Sequence, residues 1–109
     1  NADLFISVHC NAADSPAAHG TETFYFPSSA NGQKLARCIQ NQITSSLGTF
    51  NRGIKSISNL YVLKHTAAPA VLVELAFITN PHDAKLLAYY QDAFARAIAR
   101  GVTDFFISK

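Results

Sequence analysis

The segment AVLVEL, Ala70–Leu75, is apolar at every position except Glu74. Apolar residues on both parities of a short run mark a strand covered on both faces, as in the centre of a layered α/β sheet. An ionised carboxylate in that setting loses much of its solvation unless it is paired or metal-associated. Two readings of Glu74 follow. It is one half of a structural ion pair, with Arg52 or Lys55 as partner, or it is a general base at the edge of a catalytic pocket. In the second reading, burial raises its pKa toward neutrality.

Working outward, the run Leu4–Val8 in LFISVHCNAA has the same doubly apolar pattern and leads into His9, Cys10 and Asn11. Asn11–Gly20 is rich in small and turn residues and reads as a loop, and Thr21–Phe26 (TETFYF) reads as a strand closed by Pro27. The segment SSANGQKLARCIQNQITSSLG predicts a helix capped by Ser28 or Ser29 and ended by Gly48, with Leu35, Ile39, Ile43 and Leu47 on one face. Thr49–Ser58, which contains Arg52, reads as a polar connection; Leu60–Leu63 (LYVL) reads as a further strand and KHTAAP as a loop. Asn80 as cap, Pro81 in first position and Asp83 near the positive end of the dipole predict a second helix. A last helix is predicted from about Gln91 to Ile107, with Phe94, Ala97, Ile98, Gly101, Val102 and Phe105 at amphipathic spacing. Strands covered on both faces, alternating with helices, imply an α/β fold with helices on each side of the sheet. Functional groups in such folds collect at the carboxyl ends of strands, where His9 and Glu74 both fall.

Bulk properties exclude some classes of function. The chain has 109 residues, enough for one small domain or part of a larger one. An apolar fraction of 49% and a charged fraction of 15% argue against disorder. A formal charge of +2, with no run of Lys or Arg, gives no nucleic-acid face. No apolar run approaches the roughly 20 residues that span a bilayer. The given residues open without an initiator Met or a signal-peptide pattern, and NADLFISV leads almost directly into a core strand. The visible start is therefore expected to be internal to a longer protein. Cys10 and Cys38 are too few for a disulfide framework and read as small buried hydrophobes, Cys10 pointing away from the His9 face.

A hydrolytic zinc site needs three protein ligands, a water and a carboxylate that takes the water's proton. His9 can be one ligand and Glu74 the base. His19 and Glu22 flank a Gly-Thr turn and are weaker candidates, while His65 and His82 read as surface residues. No HExxH, GxSxG or P-loop pattern occurs. The residues alone reach a metal-assisted hydrolase with an incomplete site.

Taken in order, ADLFISVHCNAA, GTETFYF, NRGIK, LYVLKHTAAPAVLVELAFITNP and the closing amphipathic helix resemble the zinc-dependent N-acetylmuramoyl-L-alanine amidases of the amidase-3 type. That family includes bacterial autolysins and phage endolysins. The resemblance is collinear over essentially the whole chain. It implies a three-layer α/β/α fold around a twisted mixed sheet, and hydrolysis of the amide between N-acetylmuramic acid and L-alanine in peptidoglycan. The family's SxHxNA motif puts a zinc ligand on His9 and makes Asn11 a substrate-side candidate. Its VE-x-x-F-x-x-N motif puts the catalytic acid/base on Glu74, and its RG falls on Arg52 and Gly53, with Arg52 a substrate-side or structural residue.

The resemblance also implies what is not here. The family's GHGG-like strand and the following helix, which bring the other two zinc ligands, have no counterpart, and no remaining His, Asp or Glu matches them. Residues 1–109 are thus expected to be the C-terminal three-fifths of one amidase domain. The implied partners are Zn2+ and peptidoglycan, with no nucleic acid and no membrane. The implied location is the cell envelope, periplasmic or in the cell wall, or a phage-encoded enzyme released to the wall. Oligomeric state stays open. Two alternatives are a non-catalytic remnant or peptidoglycan-binding module lacking two ligands, and a different site built on the Cys10 thiol or on zinc held by His19 or Glu22.

Overall fold

In the computed structural model, residues 3–59 and 67–108 are described. They form β1 (Phe5–Asn11), β2 (Thr21–Tyr25), α1 (Ala30–Leu47), β3 (Asn51–Ser56), β4 (Ala70–Phe77), α2 (Pro81–Tyr89) and α3 (Gln91–Ile107). The strand expected at LYVL, and His65, lie outside the described residues.

The strands make one mixed sheet in the order β1-β4-β2-β3. β1 runs parallel to β4, β2 antiparallel to β4, and β3 parallel to β2. This is the α/β class that the pattern of elements predicts, with the mixed sheet that the resemblance implies. β4 is central, as its apolar run requires, and the alternation along it sorts the two faces. Val71 and Val73 are fully buried with Leu35, Ile39 and Ile43 of α1 and Phe94, Ala97 and Phe105 of α3. Each such aliphatic side chain contributes about 1.5–3 kcal/mol on burial. Leu72 and Glu74 take the opposite parity.

Both long helices are placed by their apolar stripes. The Ser29 hydroxyl caps α1 by accepting from the Gly32 amide at 2.9 Å, and Gly48 closes it in the left-handed region at φ 67°. α3 crosses α1 at Gly101. A Cβ there would meet Ile39 Cα at 2.7 Å, so only hydrogen permits this approach. Gln42 on α1 and Asp104 on α3 close the rim with a hydrogen bond of 2.7 Å.

Two expectations are corrected. β1 is not covered on both faces. It is an edge strand of the described sheet, with Phe5 and Val8 37% and 47% exposed. Composition reports what a strand can bury; only strand order fixes what does bury it. Secondly, Thr49–Ser58 is not merely a connection, because Asn51–Ser56 pairs with β2 as β3. Its sequence, NRGIKS, has poor strand propensity and ordinary strand alternation is broken by Gly53. The pairing comes from the free edge of β2 and from a buried polar network. Gln40 Nε2 donates to the Thr21 carbonyl at 2.6 Å and to Asn51 Oδ1 at 2.8 Å, while Thr23 Oγ1 donates to Gln40 Oε1 at 2.9 Å.

Candidate active site

Four strands contribute one row of polar side chains to the face opposite the helices. In the pairing register, His9 on β1 lies beside Glu74 on β4, and Glu74 lies beside Glu22 on β2. Directly opposed residues in adjacent strands share a face with Cβ atoms about 5 Å apart. The sheet thus brings together His9 and Glu74, as the sequence predicts, and adds Glu22 on Glu74's other side. Both strands run past these residues, to Asn11 and Phe77, so the row sits on the sheet surface in the strands' carboxyl halves rather than at their tips.

The two carboxylates differ sharply in their surroundings. Glu22 is 7% exposed and fully engaged. Its Oε1 accepts from Asn11 Nδ2 at 2.9 Å. Its Oε2 takes the ammonium of Lys55 and lies 3.5 Å from Arg52 Nε. The Arg52 separation serves an ion pair but not an aligned hydrogen bond, and Arg52 Nε has no hydrogen-bond partner among the described residues. Glu74 has neither cation. Its Oε1 is buried and without a partner among the described residues. Burial raises the Glu74 pKa above its ordinary value; the nearby imidazole of His9 lowers it and the negative charge of Glu22 raises it further. The ion-pair reading of Glu74 is therefore corrected: Arg52 and Lys55 serve Glu22.

A bulge makes that arrangement possible. Arg52 and Lys55 are three residues apart and would point to opposite faces of a regular strand. Between Thr21↔Asn51 and Thr23↔Ile54 the register slips by one residue on β3, with Gly53 at φ 84°. The extra residue returns both cations to the Glu22 face. Arg52 is steadied further, its guanidinium lying 4.8 Å from the Phe77 ring centroid and its Nη1 donating to the His19 carbonyl at 3.3 Å. A second slip, between His9↔Glu74 and Asn11↔Phe77, puts one extra residue in β4. Asn11 stays on the face of His9 and reaches Glu22.

The remaining candidates separate. His19 is an exposed loop residue whose Nδ1 lies 2.8 Å from the Ala17 carbonyl oxygen and whose ring packs 5.2 Å from that of Phe50. His82 is exposed. Cys10 points away from His9, into an apolar cleft of about 390 Å³ lined by Val8, Leu75, Leu87 and Phe94. Cys10 and Cys38 are both free thiols, and Cys10 is exposed rather than buried. Asp83 does more than favour a helix dipole: its Oδ2, fully buried, accepts from the amides of Gly20 at 2.8 Å and Phe77 at 2.9 Å. It locks the loop before β2 and the end of β4 to the start of α2, which fixes Glu22 and Glu74 relative to each other.

Glu22 and Lys55 are the residues whose importance the sequence understated. Glu22 had a usable signal, since it is an acid between two Thr in a strand that buries both neighbours. Lys55 had none, because its side depends on the Gly53 bulge.

His9 is exposed, with Nε2 2.7 Å from the Ser7 hydroxyl and Nδ1 unbonded among the described residues. Imidazole is a good zinc donor. Among the described residues, no three His, Cys, Asp or Glu side chains cluster to hold a metal. Among the described residues, His9 could supply one metal ligand with Glu74 as a neighbouring carboxylate, and a three-ligand centre would need donors that these residues do not supply.

The N-acetylmuramoyl-L-alanine amidase family model matches residues 1–104. The chain belongs to this amidase family. It is 45% identical over 109 residues to the N-acetylmuramoyl-L-alanine amidase LytC of Bacillus subtilis, covering 96% of this chain and 22% of LytC. The CwlD amidase of Clostridioides difficile, solved in complex with the GerS lipoprotein, superposes with a TM-score of 0.94 at 33% identity, over 100% of this chain and 57% of that one. An N-acetylmuramoyl-L-alanine amidase of Clostridium difficile 630 gives a TM-score of 0.91 at 35% identity, over 99% of this chain and 60% of that one. This amidase chain thus spans only part of the length of the relatives it matches.

Proposed function

We propose that these residues are the C-terminal part of the catalytic domain of a zinc-dependent amidase that cleaves the bond between N-acetylmuramic acid and L-alanine in peptidoglycan, acting at the cell envelope. The observation that carries the proposal is the His9–Glu74 pair. Among the described residues, an imidazole with one unbonded nitrogen stands in register beside a carboxylate that has a buried, unpartnered oxygen and a raised pKa. A structural acid is normally given a partner; a general base is kept available and poised nearer neutrality.

In this reading His9 is one zinc ligand, and the others come from outside the described residues. When bound, zinc would polarise the scissile carbonyl and acidify a water. Glu74 takes the proton of the attacking water on its carboxylate and later delivers one to the departing alanine nitrogen. Asn11 and Arg52 line the substrate side, Asn11 held by its hydrogen bond to Glu22 and Arg52 by its ion pair with the same carboxylate.

The test is hydrolysis of purified peptidoglycan by the intact protein, followed by the appearance of new amino-terminal alanine. Glu74→Gln is expected to lower the rate by about 10²–10⁴-fold while zinc content, measured by plasma emission, stays near one per molecule. His9→Ala is expected to lose zinc. Full activity of Glu74→Gln would sink the assignment. A folded intact protein with neither zinc nor activity would favour the reading as a binding module.

A further inference from the structure

We propose that Arg52 and Lys55, positioned by Glu22, form a subsite for a carboxylate on the peptide portion of the substrate. This rests on the amidase reading and adds to it a determinant of specificity.

The first argument is charge. Within the cluster, two cations face one engaged acid, Glu22, which leaves an excess positive charge on the β3 side of the row among the described residues. Lys55 is well placed to use it, with a side chain 45% exposed while its ammonium is anchored by Glu22 and by the Arg52 carbonyl at 3.1 Å. An ammonium has three donors, and two are occupied. The second argument is the state of Arg52. Its Nε is buried without a hydrogen-bond partner among the described residues, although the side chain is held by Phe77 and the His19 carbonyl. That Nε faces Glu22 at 3.5 Å and is closed to solvent, so a ligand would have to meet another part of the guanidinium, on a side chain that is 32% exposed. The third is placement. The Gly53 bulge puts Lys55 on the side of Arg52, over Glu22, where a regular strand would turn it to the opposite face.

Reach then decides what is bound. β3 lies two strands from β4. At the spacing of adjacent strands the β3 backbone runs about 10 Å from that of β4. The two cations lean back over Glu22 on the strand between, so their charged ends lie between about 5 and 10 Å from Glu74. An extended peptide advances about 3.4 Å per residue, so a peptide whose first amide sits at Glu74 reaches this pair two or three residues later. The glycan of the substrate presents neutral hydroxyl and acetamido groups, and the peptide presents the carboxylates. A charge-assisted contact therefore selects the peptide side.

The test uses the intact, zinc-loaded protein and two soluble muramyl peptides, one with free peptide carboxylates and one with all of them converted to amides. The wild type is expected to prefer the free acid by about tenfold in kcat/KM, mostly through KM. Lys55→Gln is expected to bring that ratio to about one, and Lys55→Arg to restore most of it. Lys55 is half-exposed, so both variants should fold; coincident thermal unfolding checks this. Cleavage of both substrates at equal efficiency by the wild type, or an unchanged ratio in Lys55→Gln, overturns the subsite and leaves the amidase reading intact. Cleavage of neither substrate overturns both.

Discussion

Glu22 and Glu74 are neighbours in the sheet with opposite assignments of charge partners, and the contrast shows how one residue type is given two tasks. Glu22 is stabilised as an anion by Asn11, Lys55 and Arg52. Glu74 is left short of a partner among the described residues, and burial raises its folded-state pKa above the ordinary carboxylate value, so the folded chain binds protons more readily than the unfolded one. Stability therefore falls as pH rises from that value through the higher folded-state pKa. In metal-free protein, Glu74→Gln should raise the melting temperature at pH 7, and the gain should vanish once the pH falls below the ordinary carboxylate range. Melting curves of the two proteins across pH 4 to 8 check this, and an advantage that persists at the acid end would contradict it. Asp83 illustrates the reverse case. Replacing it by Ala leaves the amides of Gly20 and Phe77 buried and unpaired, and the expected loss is about 2–4 kcal/mol in chemical denaturation, built from two unmet donors.

Among the elements, the two long helices and β4 were legible because their apolar periodicity and caps agree with what the fold uses. Ser29, Gly48, Asn80 and Pro81 occupy the helix ends that their chemistry predicts. β3 was not legible, since its pairing depends on a neighbour's open edge and on Gln40, a polar residue beside the apolar stripe of α1. The α1–α3 contact gives a sharp check. Gly101→Ala places a methyl against the Ile39 backbone and should destabilise by about 1–3 kcal/mol through overpacking. Gly101→Ala with unchanged stability in urea would mean that the helices can separate at little cost.

For the whole molecule, the described sheet ends at β1, whose outer edge pairs with no strand among the described residues and whose Phe5 and Val8 are partly exposed. Unpaired apolar edges promote association between chains. Residues 1–109 expressed alone are therefore expected to self-associate, and Val8→Lys should shift them toward monomer in sedimentation. A monomeric wild-type fragment at high micromolar concentration would argue that this edge is protected in another way.

By itself, the sequence determined the α/β class, the caps, the core stripes and the pairing of His9 with Glu74 as candidates. These are local or periodic properties: a run of apolar residues, a cap and a conspicuous acid are written in consecutive positions. Tertiary structure alone decided which acid takes Arg52 and Lys55 and which is left without a partner among the described residues. That choice turns on strand order and on single-residue slips in β3 and β4. One extra residue reverses the side on which every later side chain emerges, and nothing in a linear pattern specifies where a neighbouring strand will permit it.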